Sequence, residues 1–310
     1  MSRRTIAIAA ALSMLALGSP LITACANPLA TNSYNSGVKK HEQGDYQGAI
    51  ADYDKAIEID PQSAISYYNR GLSRSYLKDY KGAIADYDKA IEIDPQSVDA
   101  YTNRGLCKSY LKNYQGAIAD HNKAIEINSE DAFAYVNRGF AKNSLKDYQG
   151  AIADFNKAIE INPEFALAYS NRGGVKNELK DYQGGISDTN RAIEINPEDA
   201  HAYMNRGNAK LALQDSQGAI ADFDKSIEIG PPSVFVFYNR GLVKFDLKDY
   251  QGAIADYNKV IEVEPEYDNA YRWRGITKEL IGDLKGACSD WKEASSLGNK
   301  DATGWVKNQC

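Results

Sequence analysis

Cysteine, histidine and tryptophan are scarce in this chain, and the scarcity excludes a good deal. In 310 residues there are four cysteines, three histidines and three tryptophans. His41, His121 and His201 are too scattered to converge on a metal, and no C-x-x-C pair is present. No metal and no cofactor motif is therefore expected. Positive charge is also short: 36 basic against 42 acidic residues give a net charge of −6. A nucleic-acid backbone needs a basic stripe, so nucleic acid is not an expected partner. The glycines are spread along the chain rather than gathered into a phosphate loop. The apolar run after Arg4, TIAIAAALSMLALG, is shorter than the roughly 20 apolar residues a membrane span needs. What the chain has instead is tyrosine, 21 of them, with 43% apolar and 25% charged residues and a mean hydropathy of −0.51. That balance suits a soluble helical protein.

The first residues are different in kind. Arg3 and Arg4 precede TIAIAAALSMLALG, and no charge follows until Lys39. A basic start, a short apolar run and a small-residue exit predict a secretory signal peptide over residues 1–24. The exit, Ile22-Thr23-Ala24-Cys25, resembles the bacterial lipobox. The resemblance implies that Cys25 is lipidated and anchors the chain to a membrane. Ala26 after it implies the outer membrane, facing the periplasm. Ala24-Cys25-Ala26 also reads as an A-x-A cleavage site, which would leave a soluble periplasmic or secreted protein. An uncleaved anchor is a third reading.

From residue 30 the chain repeats itself every 34 residues. Eight repeats tile residues 30–301 without gaps, after a linker over 25–29 and before a capping segment over 302–310. The second, Ala64 to Ser97, serves as reference. Position 8 is glycine in all eight repeats, from Gly37 to Gly275. Position 20 is alanine in seven and Gly185 in the fifth; position 32 is proline in six. Apolar residues at helical spacing predict two helices per repeat. Asp79 is placed to cap the second, and Asp94-Pro95 to end it, with the aspartate tolerating left-handed geometry. A glycine inside a helix costs about 1 kcal/mol against alanine, so Gly71 and Ala83 are expected where two backbones approach closely.

This pattern resembles the tetratricopeptide repeat. The resemblance implies an all-α, right-handed superhelical solenoid whose groove is lined by the first helix of each repeat and binds proteins or peptides. The chain departs from the family at position 7, arginine where leucine is usual, and at position 11, lysine or arginine where tyrosine is usual. Aspartate stands at position 23 in every repeat. We therefore expect ion pairs within repeats: Arg70 with Asp86, Arg104 with Asp120, Arg138 with Asp154, Arg172 with Asp188, and so on to repeat 8. Solvated charges are the alternative. Ser36 replaces the arginine in repeat 1, which should be the loosest.

Function is expected on the groove face. In repeats 2 to 4 its positions give Ile65, Tyr68, Leu72, Tyr76, Leu106, Tyr110, Phe133, Val136 and Phe140, and repeat 7 gives Phe235, Tyr238, Leu242 and Phe245. Packing between repeats is the competing role for these side chains. Position 6 is a ladder of Asn35, Asn69, Asn103, Asn137, Asn171, Asn205 and Asn239, suited either to an extended peptide backbone or to backbone groups between repeats. Little sequence is left for a catalytic domain, so an enzyme is not expected. The reading is an exported, non-catalytic adaptor; a soluble assembly chaperone and a glycan or wall binder are its rivals. Cys107 is expected to pack, and Cys288 and Cys310 to be separate thiols, a staple onto repeat 8 being the alternative.

Overall fold

The computed structural model describes residues 27–231 and 233–310. The leader and Cys25 lie outside the described residues. The described residues form two compact bodies, one ending at Pro163 and the other spanning Glu164–Cys310. The first holds α1 (Pro28–Glu42), α2 (Tyr46–Ile59), α3 (Ala64–Tyr76), α4 (Tyr80–Ile93), α5 (Val98–Tyr110), α6 (Tyr114–Ile127), α7 (Ala132–Ser144) and α8 (Tyr148–Ile161). The second holds α9 (Ala166–Glu178), α10 (Tyr182–Ile195), α11 (Ala200–Ala212), α12 (Ser216–Ile229), α13 (Val234–Asp246), α14 (Tyr250–Val263), α15 (Asp268–Leu280), α16 (Leu284–Ser296) and α17 (Lys300–Gln309). No strand occurs among the described residues. From α1 to α16, odd-numbered helices are the first of each repeat and even-numbered ones the second. First helices of neighbouring repeats touch, α1 with α3, α3 with α5 and α5 with α7 in one body, and α9 with α11 and α11 with α13 in the other. Within each body they make a single layer, backed by the second helices.

Two boundaries move. α1 starts at Pro28, inside the expected linker, because Asn27 caps it, its side chain accepting from the Leu29 amide at 3.0 Å, and proline suits a first turn. The expected capping segment forms a helix starting at Lys300, two residues inside the expected repeat 8, because Asn299 accepts from the Ala302 amide at 3.1 Å.

Each second helix starts as expected. Asp79 accepts from the Gly82 amide at 3.0 Å, and the equivalent residue does the same in every repeat. That cap also explains a glycine the expectation passed over. A Cβ on Gly82 would lie 2.2 Å from the Asp79 carboxylate oxygen, so any side chain there would expel the cap. The helix ends differently from the expectation. Asp94 has φ −123°, not a left-handed value, and its side chain accepts from the Gln96 amide at 3.1 Å. The left-handed residue sits in the turn inside each repeat: Lys78, Lys112, Lys146, Lys180, Gln214 and Lys248 have φ of 62–66°, and Gly44 and Gly282 stand there in repeats 1 and 8. Such a backbone costs a non-glycine residue about 1–2 kcal/mol.

The core is a series of small plugs. Position 20 is fully buried alanine in seven repeats. Beside it, position 24 carries Tyr53, Tyr87, His121, Phe155, Thr189, Phe223, Tyr257 and Trp291, all buried. Each fully buried large apolar side chain contributes about 2–3 kcal/mol. The position-8 glycine faces this side chain. A Cβ on Gly139 would fall 2.7 Å from the Phe155 ring, so the glycine makes room for the plug as well as for the opposing backbone.

At the C-terminus Cys288 and Cys310 are bonded, which corrects the expectation of separate thiols. α17 lays Trp305 and Val306 against Trp291 and Ala294, and this packing brings the two sulfurs together. Closing a loop of this span stabilises a fold by about 3 kcal/mol. Reduction should therefore release α17 first. Hydrogen exchange with and without dithiothreitol checks this: the α17 amides should exchange at least tenfold faster when reduced, while α13 and α14 stay unchanged.

Candidate interaction surface

The charged residues form the most regular feature. In repeat 4, Arg138 donates from Nε to Asp154 Oδ2 at 2.9 Å and from Nη2 to Oδ1 at 2.6 Å. Lys142, at position 11, approaches the same carboxylate at 2.8 Å. The third arm of Arg138, Nη1, reaches Asn122 Oδ1 of the preceding repeat at 2.7 Å, and the guanidinium lies over the Tyr135 ring at 5.2 Å. One arginine thus ties two helices, links two repeats and stacks on the position-4 aromatic. Arg70–Asp86, Arg104–Asp120 and Arg172–Asp188 form in the same way, as do the pairs in repeats 6 to 8. The second cation on each aspartate was visible at position 11, but its role needed the geometry. In repeat 1 the carboxylate is not abandoned. Lys40 and Ser36 both bond Asp52 at 2.6 Å, and these bonds hold its carboxyl down to about 2.

Four rungs of the asparagine ladder bond between repeats, while Asn35 is exposed. Asn69 donates to Tyr34 Oη at 3.1 Å and to the Ile65 carbonyl; Asn103 donates to Tyr68 Oη at 2.9 Å. In the second body Asn205 donates to the Ser170 carbonyl at 3.2 Å and Asn239 to Asn208 Oδ1 at 2.9 Å. Asn137 is buried and Asn171 half-buried. Amides engaged in this way hold adjacent first helices together; they do not wait for a peptide.

The apolar strip divides. Tyr68, Leu72, Leu106 and Val136 are 6%, 3%, 7% and 2% exposed. This corrects their placement on a partner-facing surface: positions 5 and 9 turn toward the plug and the next repeat, as Tyr68 does against Tyr87. Ile65 is exposed, and Tyr76, Tyr110, Phe133 and Phe140 are partly exposed. Two aromatics the expectation missed join them. Tyr46 stacks on Tyr76 with centroids 4.7 Å apart, and Tyr80 on Tyr110 at 4.5 Å. The signal was available, since tyrosine opens the second helix in six of the eight repeats. In the second body Phe235, Tyr238, Leu242 and Phe245 are partly exposed, and Phe245 meets Trp273 at 5.1 Å.

The cavity between Leu72, Cys107 and Tyr110 is about 10 Å³, at the lower limit for one water, so it is no ligand site. Burial pushes the free Cys107 thiol up to about 11. Among the described residues no three His, Cys, Asp or Glu side chains are grouped for a metal, and no helix is long and apolar enough to cross a membrane.

Profiles of the tetratricopeptide repeat match residues 64–97, 98–131, 132–165 and 234–267, in the register set out above, and related repeat profiles match 37–74 and 178–234. The chain belongs to the tetratricopeptide repeat family. Its fold is the superhelical solenoid of that family. A tetratricopeptide repeat protein from Parabacteroides merdae is 19% identical with a TM-score of 0.67, over 81% of this chain and 99% of that one. The PilF protein of Pseudomonas aeruginosa is 18% identical with a TM-score of 0.57, over 66% and 93%. In the Cut9–Hcn1 tetramer a chain is 15% identical with a TM-score of 0.69, over 85% and 52%. These likenesses concern the fold. No curated protein matches the chain. Tetratricopeptide repeats are protein-interaction scaffolds, and this chain is one.

Proposed function

We propose that this scaffold binds peptide or protein segments along the first helices of its N-terminal body, exported from a bacterial cell and tethered to the outer membrane through a lipid on Cys25. The observation that carries the binding role is the partly exposed aromatic strip of Tyr76, Tyr110, Phe133 and Phe140, with Ile65 at its edge. Clustered, partly exposed aromatics on a packed helical layer are what hot spots are built from. The disulfide at the C-terminus supports an oxidising compartment, where such bonds persist. The tethered reading stands on the lipobox resemblance, and a soluble periplasmic or secreted chaperone is its rival. A glycan binder is less favoured: Tyr80 and Tyr110 each use one ring face on the other.

Crosslinked pull-down from cell envelopes tests the strip. Tyr76→Ala/Phe140→Ala should lower partner recovery at least tenfold without changing the helical signal; unchanged recovery would move the site elsewhere. Fractionation tests the anchor. Cys25→Ser should shift the protein from membrane to soluble fractions, and a wild type already soluble would remove the tether.

A further inference from the structure

Repeat 8 breaks the array at two adjacent positions of its first helix. Position 5 holds an uncharged residue in every earlier repeat, and Arg272 here; position 6 is asparagine in the other seven, and Trp273 here. Loss of the asparagine removes a rung of the ladder, so the exchange has no structural use of the kind seen elsewhere.

The new pair builds an aromatic-walled cation. The Arg272 guanidinium lies over the Trp273 ring at 5.2 Å and over the Trp305 ring of α17 at 5.6 Å. Phe245 of α13 meets Trp273 edge-on. Arg274, two residues along, shows what a saturated arginine looks like in this fold: Nε, Nη1 and Nη2 all donate at 2.6–2.9 Å. Arg272 does not reach that state. Its Nε is buried without an acceptor among the described residues. Its one acidic contact among the described residues is Nη2 to Asp301 at 3.3 Å, and the Asp301 side chain is 64% exposed. A guanidinium offers five donors in a planar fork matched to a carboxylate, and here Nε has no acceptor among the described residues and Nη2 has only the long contact to Asp301. The two indoles beside the guanidinium exclude part of the surrounding water and leave the Arg272 side chain 24% exposed, and partial desolvation strengthens a bond made at its edge.

We propose that Arg272, walled by Trp273 and Trp305, is a receptor for an aspartate or glutamate side chain of a partner peptide, with a neighbouring aromatic side chain of that peptide resting on Phe245, which meets Trp273 edge-on. The commitment to an acidic side chain follows from charge complementarity and from Asp301, which shows that an aspartate reaches this guanidinium and holds it weakly. The site rests on the scaffold reading, but it lies in the C-terminal body and is independent of the aromatic strip around Tyr76.

All three tryptophans of the chain are in α15, α16 and α17, so intrinsic fluorescence reports this end of the molecule. The test titrates the full chain with the blocked peptide acetyl-Gly-Asp-Phe-Gly-amide and with its Asn-Phe counterpart, up to about 10 mM, a range that covers weak single-residue recognition. The aspartyl peptide should give a saturable change and bind at least tenfold more tightly than the asparaginyl one. Arg272→Gln should remove that preference. Asp301→Ala, which frees the guanidinium and leaves the indoles in place, should tighten binding about threefold to tenfold. Equal binding of the two peptides, no saturable binding, or looser binding by Asp301→Ala overturns the proposal. If Arg272→Gln does not fold, the peptide preference and Asp301→Ala still decide. Tyr76→Ala/Phe140→Ala should leave this binding unchanged, so failure of the strip and failure of this receptor are distinguishable.

Discussion

Asp154→Asn should destabilise the protein by about 2–4 kcal/mol, read as a lower denaturant midpoint with the far-ultraviolet spectrum unchanged in water. Breaking a buried pair by removing one partner leaves the other charge uncompensated, which costs about 3–5 kcal/mol in full burial. Here the carboxylate is 5% exposed, while Arg138 and Lys142 are 18% and 22% exposed, so water relieves part of the cost. Asparagine keeps the shape and still accepts from Arg138, but two cations then share a neutral group. Lys123→Ala is the control. Its ion pair with Glu126 is 2.6 Å long but lies on the surface, and such pairs are worth about 0–1 kcal/mol. An Asp154→Asn midpoint as little changed as that of Lys123→Ala would show that the network orders side chains without stabilising the fold.

Wild-type stability should fall by about 3 kcal/mol between pH 6.5 and pH 4 through His121 alone, and His121→Phe should abolish that part of the decline. The ring occupies position 24, fully buried, with neither nitrogen hydrogen-bonded among the described residues. Burial lowers its pKa from 6.5 to about 4, against the opposing pull of Asp120; Arg138 and Lys108 add to the lowering and Asp154 opposes it. The sign follows from linkage. The unfolded chain takes up a proton below pH 6.5 and the folded chain does so only near pH 4, so the unfolded state gains as pH falls through that window. At pH 5 the difference is about 2 kcal/mol. Phenylalanine already fills this position in repeats 4 and 6, against Gly139 and Gly207, so it should fit against Gly105. Denaturant curves of both proteins at pH 5 and pH 8 check the point. A wild-type to His121→Phe difference equal at the two values would mean that the imidazole is hydrated and titrates normally.

Repeat period, helix pairing and the capping aspartates were legible because they depend on local rules: glycine, alanine and proline recur at fixed offsets, and a cap needs only the residues three apart. The Arg–Asp pairing was legible too, since a 16-residue offset recurs down the chain. Which aromatics face a partner was not. Position 5 and position 13 share one face on a helical wheel, yet Tyr68 is buried against Tyr87 while Tyr76 is partly exposed and stacks on Tyr46. A wheel describes one helix, and burial is set by the helix in the next repeat.

The Cys288–Cys310 bond and the Arg272 site have the same origin. Both depend on where α17 docks, and its ten residues carry too few periodic positions to fix that from sequence. The amino-acid sequence by itself determined the repeat, the family and the ion-pair partners, because each is written in spacings that recur within or between units. Tertiary structure alone decided which side chains are exposed, what the asparagines bond and where α17 docks. Those outcomes depend on contacts between repeats, and neighbouring repeats differ at the positions that meet.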